Sequence, residues 1–447
     1  MTDDADSGAD ASATDGSGAD ADGDRLDVGF VPAEVPGAGL TGAVETSALL
    51  VEHLSRRHDL TVYVASQHAA DDVDLPAEDR VEYVIHDDLP KLPHPITAKH
   101  RALREETDAL ESHDLVHSYS SVFVPVLADL STPTISTLNS YVAVCPKGDM
   151  RYHGKRTCSG PGPAKCVACV GVTGARRRQG LENEARSAYS SLGKLPLVRD
   201  SMARRNGVDA YHALSPHLAE DYAALDFPAE RTRVIPHFYD GGFRRDPRTT
   251  AGDPVTLLYV GGLREFKGVQ VLVRGLAELR SRGVDARLRV AGAGPYGDRI
   301  KRLVGELGLA DAVAWHGYVD HDDLPDLYAG ADAFVYPGLI DEPFGRVLLE
   351  ALAAGTPVVA SDVGSTDYIV GDAGERFESG DERALADAVE RLVADYEERA
   401  GAIPDQLARF EPETVLAQFD ELYRDVATGR LRRESRPSSA SSPTPSR

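Results

Sequence analysis

Two glutamates eight residues apart, Glu342 and Glu350, stand in the stretch EPFGRVLLEALAAGTPVVASDVG, residues 342–364. From Val347 to Ala354 the run is otherwise almost wholly apolar, which predicts a buried helix with Glu342 and Pro343 in its first turn. A carboxylate rarely enters such a run without a partner. Other chemistry-bearing residues cluster upstream. GLREFKG, with Arg264 and Lys267, follows the apolar run VTLLYVG; AGP, with Gly292 and Gly294, follows ARLRVAG; GLIDEPFG, with Glu342 and Gly345, follows AFVYP; DVGSTD follows PVVAS. Each apolar run reads as a strand, and ligands of open parallel sheets sit at the carboxyl ends of strands, so these loops face one crevice. Basic side chains, helix amides near Gly345 and close-approach glycines suit phosphates. Carboxylates accepting two hydrogen bonds each suit sugar hydroxyls. Both needs met in one cleft describe a nucleotide sugar. In the competing reading Glu342 is a helix-start acid favoured by the dipole and Glu350 is half-exposed. Spacing alone leaves both open.

Strands and helices alternate along the body of the chain, which predicts an α/β fold with two doubly wound parallel sheets and a cleft between them. The first series begins with LDVGFVP (26–32), a glycine-bearing loop VPGAGLTG and the amphipathic run AVETSALLVEHLSRR; LTVYVAS, LVHSY and TISTL follow as strands. The expected organisation is a domain over 25–240 with an insert at 145–180, a second domain over 241–403, and a helix over 404–429 packing back on the first. Acidic residues 1–24, with no large apolar side chain after Met1, and residues 430–447 are expected to be disordered.

The net charge is −24, the body between the two tails carries −20, and the whole chain has only eight lysines against forty arginines. An acidic, lysine-poor body argues against general nucleic-acid binding. It suits a cytoplasm of very high salt, a halophile's surface, or simply an acidic mesophile protein. No apolar run approaches the ~18–20 residues that span a bilayer, and the N-terminus is not a secretory signal, so a cytoplasmic protein is expected.

The run from YVGGLREFKGVQVLV to PVVASDVGSTDYIV resembles the nucleotide-sugar domain of glycosyltransferase family 4, retaining enzymes of the GT-B fold. The likeness rests on K-G after the first strand, on G-x-G-P, on the E-P-F-G-x4-E-A-x-A-x-G-x-P-V-V-A-S-D block and on D-E-R-A-L-A-D-A-V, and it covers about 250–400. It implies that Glu342 contacts the donor sugar, that Glu350 takes the ribose hydroxyls, and that Lys267 stabilises the departing diphosphate, with Phe344 and Gly345 beside them. The family usually has arginine directly after the strand glycine, where this chain has Gly262; Arg264 either substitutes or points to solvent. In the first half, Gly39 and Gly42 resemble the glycine-rich loop facing phosphate and acceptor. Asn139 replaces a family histidine and cannot act as an acid or base. His117 is a second candidate near the acceptor.

All four cysteines fall in C-x12-C-x7-C-x2-C, as Cys145, Cys158, Cys166 and Cys169. Four thiolates on a Gly/Pro-rich loop suit a structural zinc; an iron–sulfur cluster uses the same ligands, and four unrelated thiols are the third reading. Some members of the resembled family carry a comparable cluster. Residues 145–180 hold eight Lys or Arg and one acid, Asp149, and Arg176, Arg177 and Arg178 are candidates for an anionic acceptor or membrane headgroup. The expected function is transfer of a sugar from a UDP- or GDP-type donor to a hydroxyl acceptor, either a glycan or a lipid-linked sugar, without a catalytic cofactor and with peripheral membrane contact open. The alternative is a non-catalytic sugar- or nucleotide-binding protein whose metal loop recruits a partner.

Overall fold

The structure is a computed structural model that describes residues 25–39, 42–71, 73–92, 94–153, 156–176 and 188–433. The acidic segment 1–24, residues 434–447 and the side chains of the arginine triplet at 176–178 lie outside the described residues. Residues 430–433 correct the expected C-terminal tail. Leu431 is buried, and the Arg433 guanidinium donates to the carbonyls of Gly207 (2.7 Å) and Leu130 (2.6 Å).

Short β-rich runs separated by helices build two parallel sheets. In chain order the strands are β1 (Asp27–Val31), β2 (Asp59–Ala65), β3 (Glu82–His86), β4 (Leu115–Ser118) and β5 (Thr134–Leu138), then the antiparallel pair β6 (Arg151–Tyr152) and β7 (Arg156–Thr157). β8 (Ala210–Ala213) and β9 (Thr232–Val234) complete the first sheet, whose order is β3-β2-β1-β4-β5-β8-β9. The second half supplies β10 (Val255–Val260), β11 (Ala286–Ala291), β12 (Val313–Gly317), β13 (Ala333–Tyr336), β14 (Val358–Ser361) and β15 (Gly374–Phe377), in the order β12-β11-β10-β13-β14-β15. Each order reverses beside its first strand. The loops leaving β10 and β13 therefore diverge, and a crevice opens between them at the carboxyl ends.

One apolar cluster runs from Phe30 and Val62 of the first sheet through Phe344 and Leu348 to Phe419 and Tyr423 of the C-terminal helix Pro412–Ala427. A second fills the space around Leu257, Leu272, Leu288 and Leu385. The C-terminal helix lies against the first sheet, where Asp420 holds Arg57 (2.5 Å) and His58 (3.1 Å).

Beneath that helix runs a buried hydrogen-bond chain whose direction can be assigned. The His212 Nε2–H donates to the Ile235 carbonyl (2.7 Å), which leaves Nδ1 to accept from Thr137 Oγ1 (2.9 Å). Thr137 then accepts from His117 Nε2 (2.8 Å), and His117 Nδ1 accepts from the Tyr423 hydroxyl (2.7 Å). Burial lowers His212 from its ordinary value of 6.5 to about 4, and burial with the neighbouring His212 holds His117 well below that value too. In this window the unfolded chain binds protons that the native state refuses. Stability is therefore complete above pH 6.5 and falls as pH drops toward 4. His212 alone withdraws about 2 kcal/mol between pH 7 and pH 5. Urea midpoints should fall between those two pH values; an unchanged midpoint would count against a neutral histidine chain.

Candidate active site

The floor of the crevice is made by backbones in contact. A Cβ on Gly292 would lie 2.0 Å from the Gly261 carbonyl oxygen, and one on Gly294 would lie 2.4 Å from that of Leu263. On the other side, Gly268 adopts φ 75° at the start of the Val269–Ser281 helix, where a Cβ would lie 1.7 Å from the Pro337 carbonyl. The Leu339 amide also donates to the Phe266 carbonyl (2.9 Å). The β10 loop is thus wedged against the loops after β11 and β13, and its Lys267 is delivered onto Glu342, with which it forms an ion pair. The Tyr336 ring lies 5.9 Å from Nζ. Burial, with the Glu342 charge second, keeps the Tyr336 hydroxyl protonated far beyond its ordinary range. A cleft of about 620 Å³ lies apart from this pair, at the carboxyl ends of β14 and β15, lined by Asp362, Arg376, Phe377, Glu378 and Ser379.

Glu342 and Pro343 are not a helical first turn. The helix spans Arg346–Ala353, and Gly345, at φ 94°, breaks the chain before it. The reason is local: Ser215 Oγ donates to the Pro343 carbonyl (2.8 Å), Ser365 Oγ donates to those of Phe344 and Glu342, and the Gly364 amide donates to Asp341 (3.1 Å). Acceptors that a helix would use are taken by another strand's loop. Glu342 is consequently held on a loop, partly exposed to the crevice.

Glu350 is buried, not half-exposed, with 8% of its surface accessible. Its Oε2 accepts from the Tyr328 hydroxyl (3.2 Å), and its Oε1 lies 3.4 Å from Arg346 Nη2. Arg346 in turn reaches the first domain, donating from Nη1 to the Gly42 carbonyl (3.1 Å) and Thr46 Oγ1 (3.2 Å) at the start of the Gly42–Leu54 helix. Arg346, Tyr328 and Tyr336 were not singled out from sequence. Arg346 carried a signal, since i and i+4 on a helix are neighbours and the pair is Arg–Glu.

The remaining candidates divide. Gly292, Gly294, Gly345 and Phe344 line or support the Lys267–Glu342 crevice, whereas Gly262 and Arg264 are exposed on its rim. Gly39 adopts φ 66° with open space around it. Asn139, just past β5, donates to the Tyr119 carbonyl (2.9 Å). His117 is corrected: it is fully buried as the third residue of β4, bonded on both nitrogens and covered by Phe419, so no acceptor reaches it.

The cysteines are also not arranged as expected. Cys166 and Cys169 stand on a helix, Pro163–Arg176, rather than a loop. Cys166 Sγ accepts from the Gly162 amide (3.4 Å), Cys169 Sγ from that of His153 (3.1 Å), and Cys158 donates to the Gly160 carbonyl (3.4 Å). Burial pushes the Cys145 thiol up, against ionisation. Among the described residues no group of three or more His, Cys, Asp or Glu side chains is placed to hold a metal ion.

Comparison with known proteins adds to this geometry. The family model described as Glycosyl transferases group 1 matches residues 243–405. Alpha-D-kanosaminyltransferase of Streptomyces kanamyceticus is 28% identical over 249 residues, 54% of this chain and 61% of that protein. A GDP-mannose-dependent alpha-(1-6)-phosphatidylinositol monomannoside mannosyltransferase of Mycolicibacterium smegmatis is 32% identical over 219 residues, 45% of this chain and 57% of that one. The chain thus spans about three fifths of the length of these curated relatives. Among solved structures, sucrose-phosphate synthase from Thermosynechococcus elongatus superposes with a TM-score of 0.66 at 20% identity, over 91% of this chain and 100% of that one. Two Rossmann-like sheets with opposed carboxyl ends, a helix returning to the first and a matching second half make this a chain of GT-B fold whose residues 243–405 match the glycosyl transferases group 1 family.

Proposed function

We propose that the protein is a retaining glycosyltransferase that moves a sugar from a UDP- or GDP-type nucleotide sugar to a hydroxyl acceptor on a glycan, a glycolipid or a polyprenyl-linked sugar. The observation that carries the reading is the Lys267–Glu342 pair at the switch point of the second sheet, with Glu350 one helix deeper. Without ligand, Lys267 neutralises Glu342. A diphosphate offers the lysine more negative charge than one carboxylate does, and its arrival would draw Nζ away and release Glu342 to accept from sugar hydroxyls. As the glycosidic bond to phosphate breaks, charge grows on the leaving diphosphate, and a fixed cation stabilises that state best. Glu350 would accept from the ribose, while Arg264 and Gly262 on the rim, and Gly39, Gly42 and Asn139 across the cleft, would border phosphate and acceptor. No catalytic metal enters this scheme.

The curated relatives' names point to sugar transfer, one of them from GDP-mannose. Placement in the cytoplasm, with contact at the inner face of the membrane, belongs to the same proposal. No helix among the described residues is long and apolar enough to cross a membrane.

Calorimetric titration with UDP, GDP and ADP tests the donor site. One nucleotide should bind, and Glu350→Gln should weaken it about tenfold, as expected for losing a charged acceptor. Folded protein that binds none of the three would favour the non-catalytic alternative.

A further inference from the structure

We infer that Arg346 is a positioning residue that joins the ribose carboxylate Glu350 to the first domain across the cleft. The inference rests on the reading of Glu350 as a nucleotide contact. Arg346 is the first residue of its helix, and its side chain is only 12% exposed. It divides its guanidinium: Nη2 faces Glu350 at 3.4 Å, while Nη1 donates to Gly42 and Thr46, 304 and 300 residues earlier in the chain. A planar fork with fixed donors can serve two separated acceptor groups at once, whereas an ammonium is a point charge.

The consequence is directional. Glu350 is nearly out of water, so its carboxylate must keep a partner, and Tyr328 satisfies only one oxygen. Arg346 faces the other as an ion pair at 3.4 Å, but its own position is set by a carbonyl and a hydroxyl of the opposite domain. Nucleotide binding to the second domain therefore depends on contacts made by the first. The same cation stands near His237, which lies between Tyr119 and Phe344 at the junction of the halves and which burial, then Arg346, keeps neutral.

The test uses full-length wild type, Thr46→Val, Arg346→Lys, Arg346→Ala and the Thr46→Val/Arg346→Ala pair, titrated with whichever of UDP, GDP or ADP the wild type binds. Thr46→Val lies in the first domain, away from the Lys267–Glu342 pair, and removes a hydroxyl that donates to the Gly42 carbonyl (2.8 Å) and accepts from Arg346. It should nevertheless raise Kd about three- to tenfold in the wild-type background, and cause no further loss once Arg346 is alanine. Arg346→Lys keeps the charge but not the span, and should resemble Thr46→Val rather than wild type. Unchanged affinity in Thr46→Val, or losses that simply add in the double variant, would overturn the inference while leaving the nucleotide site standing. A wild type that binds none of the three removes the functional reading, and this one with it.

Discussion

Lys267→Ala is expected to lower the rate of sugar transfer by about 10²–10³-fold, the usual effect of deleting one fixed group that stabilises transition-state charge. The effect should fall on kcat more than on donor KM, because the lysine already has a counter-ion before donor arrives. Losing it from the free enzyme releases Glu342 at the same time as it weakens phosphate binding, and the two effects on ground-state affinity oppose each other. No such offset exists in the transition state, where the leaving diphosphate carries the growing charge. Release of nucleoside diphosphate from the nucleotide sugar measures this without knowledge of the acceptor. A variant with wild-type turnover would remove Lys267 from the mechanism.

Gly292→Ala should cost about 3 kcal/mol or more of stability, from a forced backbone shift at a positive φ. The added Cβ would meet the Gly261 carbonyl carbon at 2.8 Å as well as its oxygen at 2.0 Å, and φ is 131°. Relief is blocked on both sides, because Gly261 donates to Ala291 (3.0 Å) and Gly292 to Gly317 (2.5 Å) along the strand ends. The only way out is for the β10 loop to lift, which carries Lys267 with it. Gly308→Ala serves as the comparison: φ is 68°, nothing lies within 4 Å, and the cost should be about 1 kcal/mol. Equal thermal shifts for the two variants would contradict the close-contact argument.

The alternation of apolar runs with helical ones made the two parallel sheets legible, and the ends of those runs placed Lys267 and Glu342 beside one crevice. What failed was local. The E-P-F-G segment reads as a helix start by composition, yet its carbonyls are claimed by Ser215 and Ser365, partners whose approach no local pattern announces. His117 was misread for a related reason. A strand inside a parallel sheet is buried on both faces, so a polar residue within it belongs to the core, and only residues past its end can reach a ligand. Asn139, just after β5, meets that criterion; His117 does not. The end of the cysteine segment reads as a Gly/Pro-rich loop, yet Pro163–Arg176, which carries Cys166 and Cys169, is a helix.

The fastening of the C-terminal helix has a consequence for biosynthesis. His117 waits for the Tyr423 hydroxyl 306 residues further along the chain, and Arg57 for Asp420 363 residues on. At about 5–20 residues per second, a ribosome takes about 15–60 s to cover the first interval. Throughout that time the face of the first sheet that Phe419 and Tyr423 will cover emerges with its polar histidine chain open at one end. The first half is therefore not a unit that can finish folding as it leaves the ribosome. It is completed by the helix Pro412–Ala427, after the second sheet already exists.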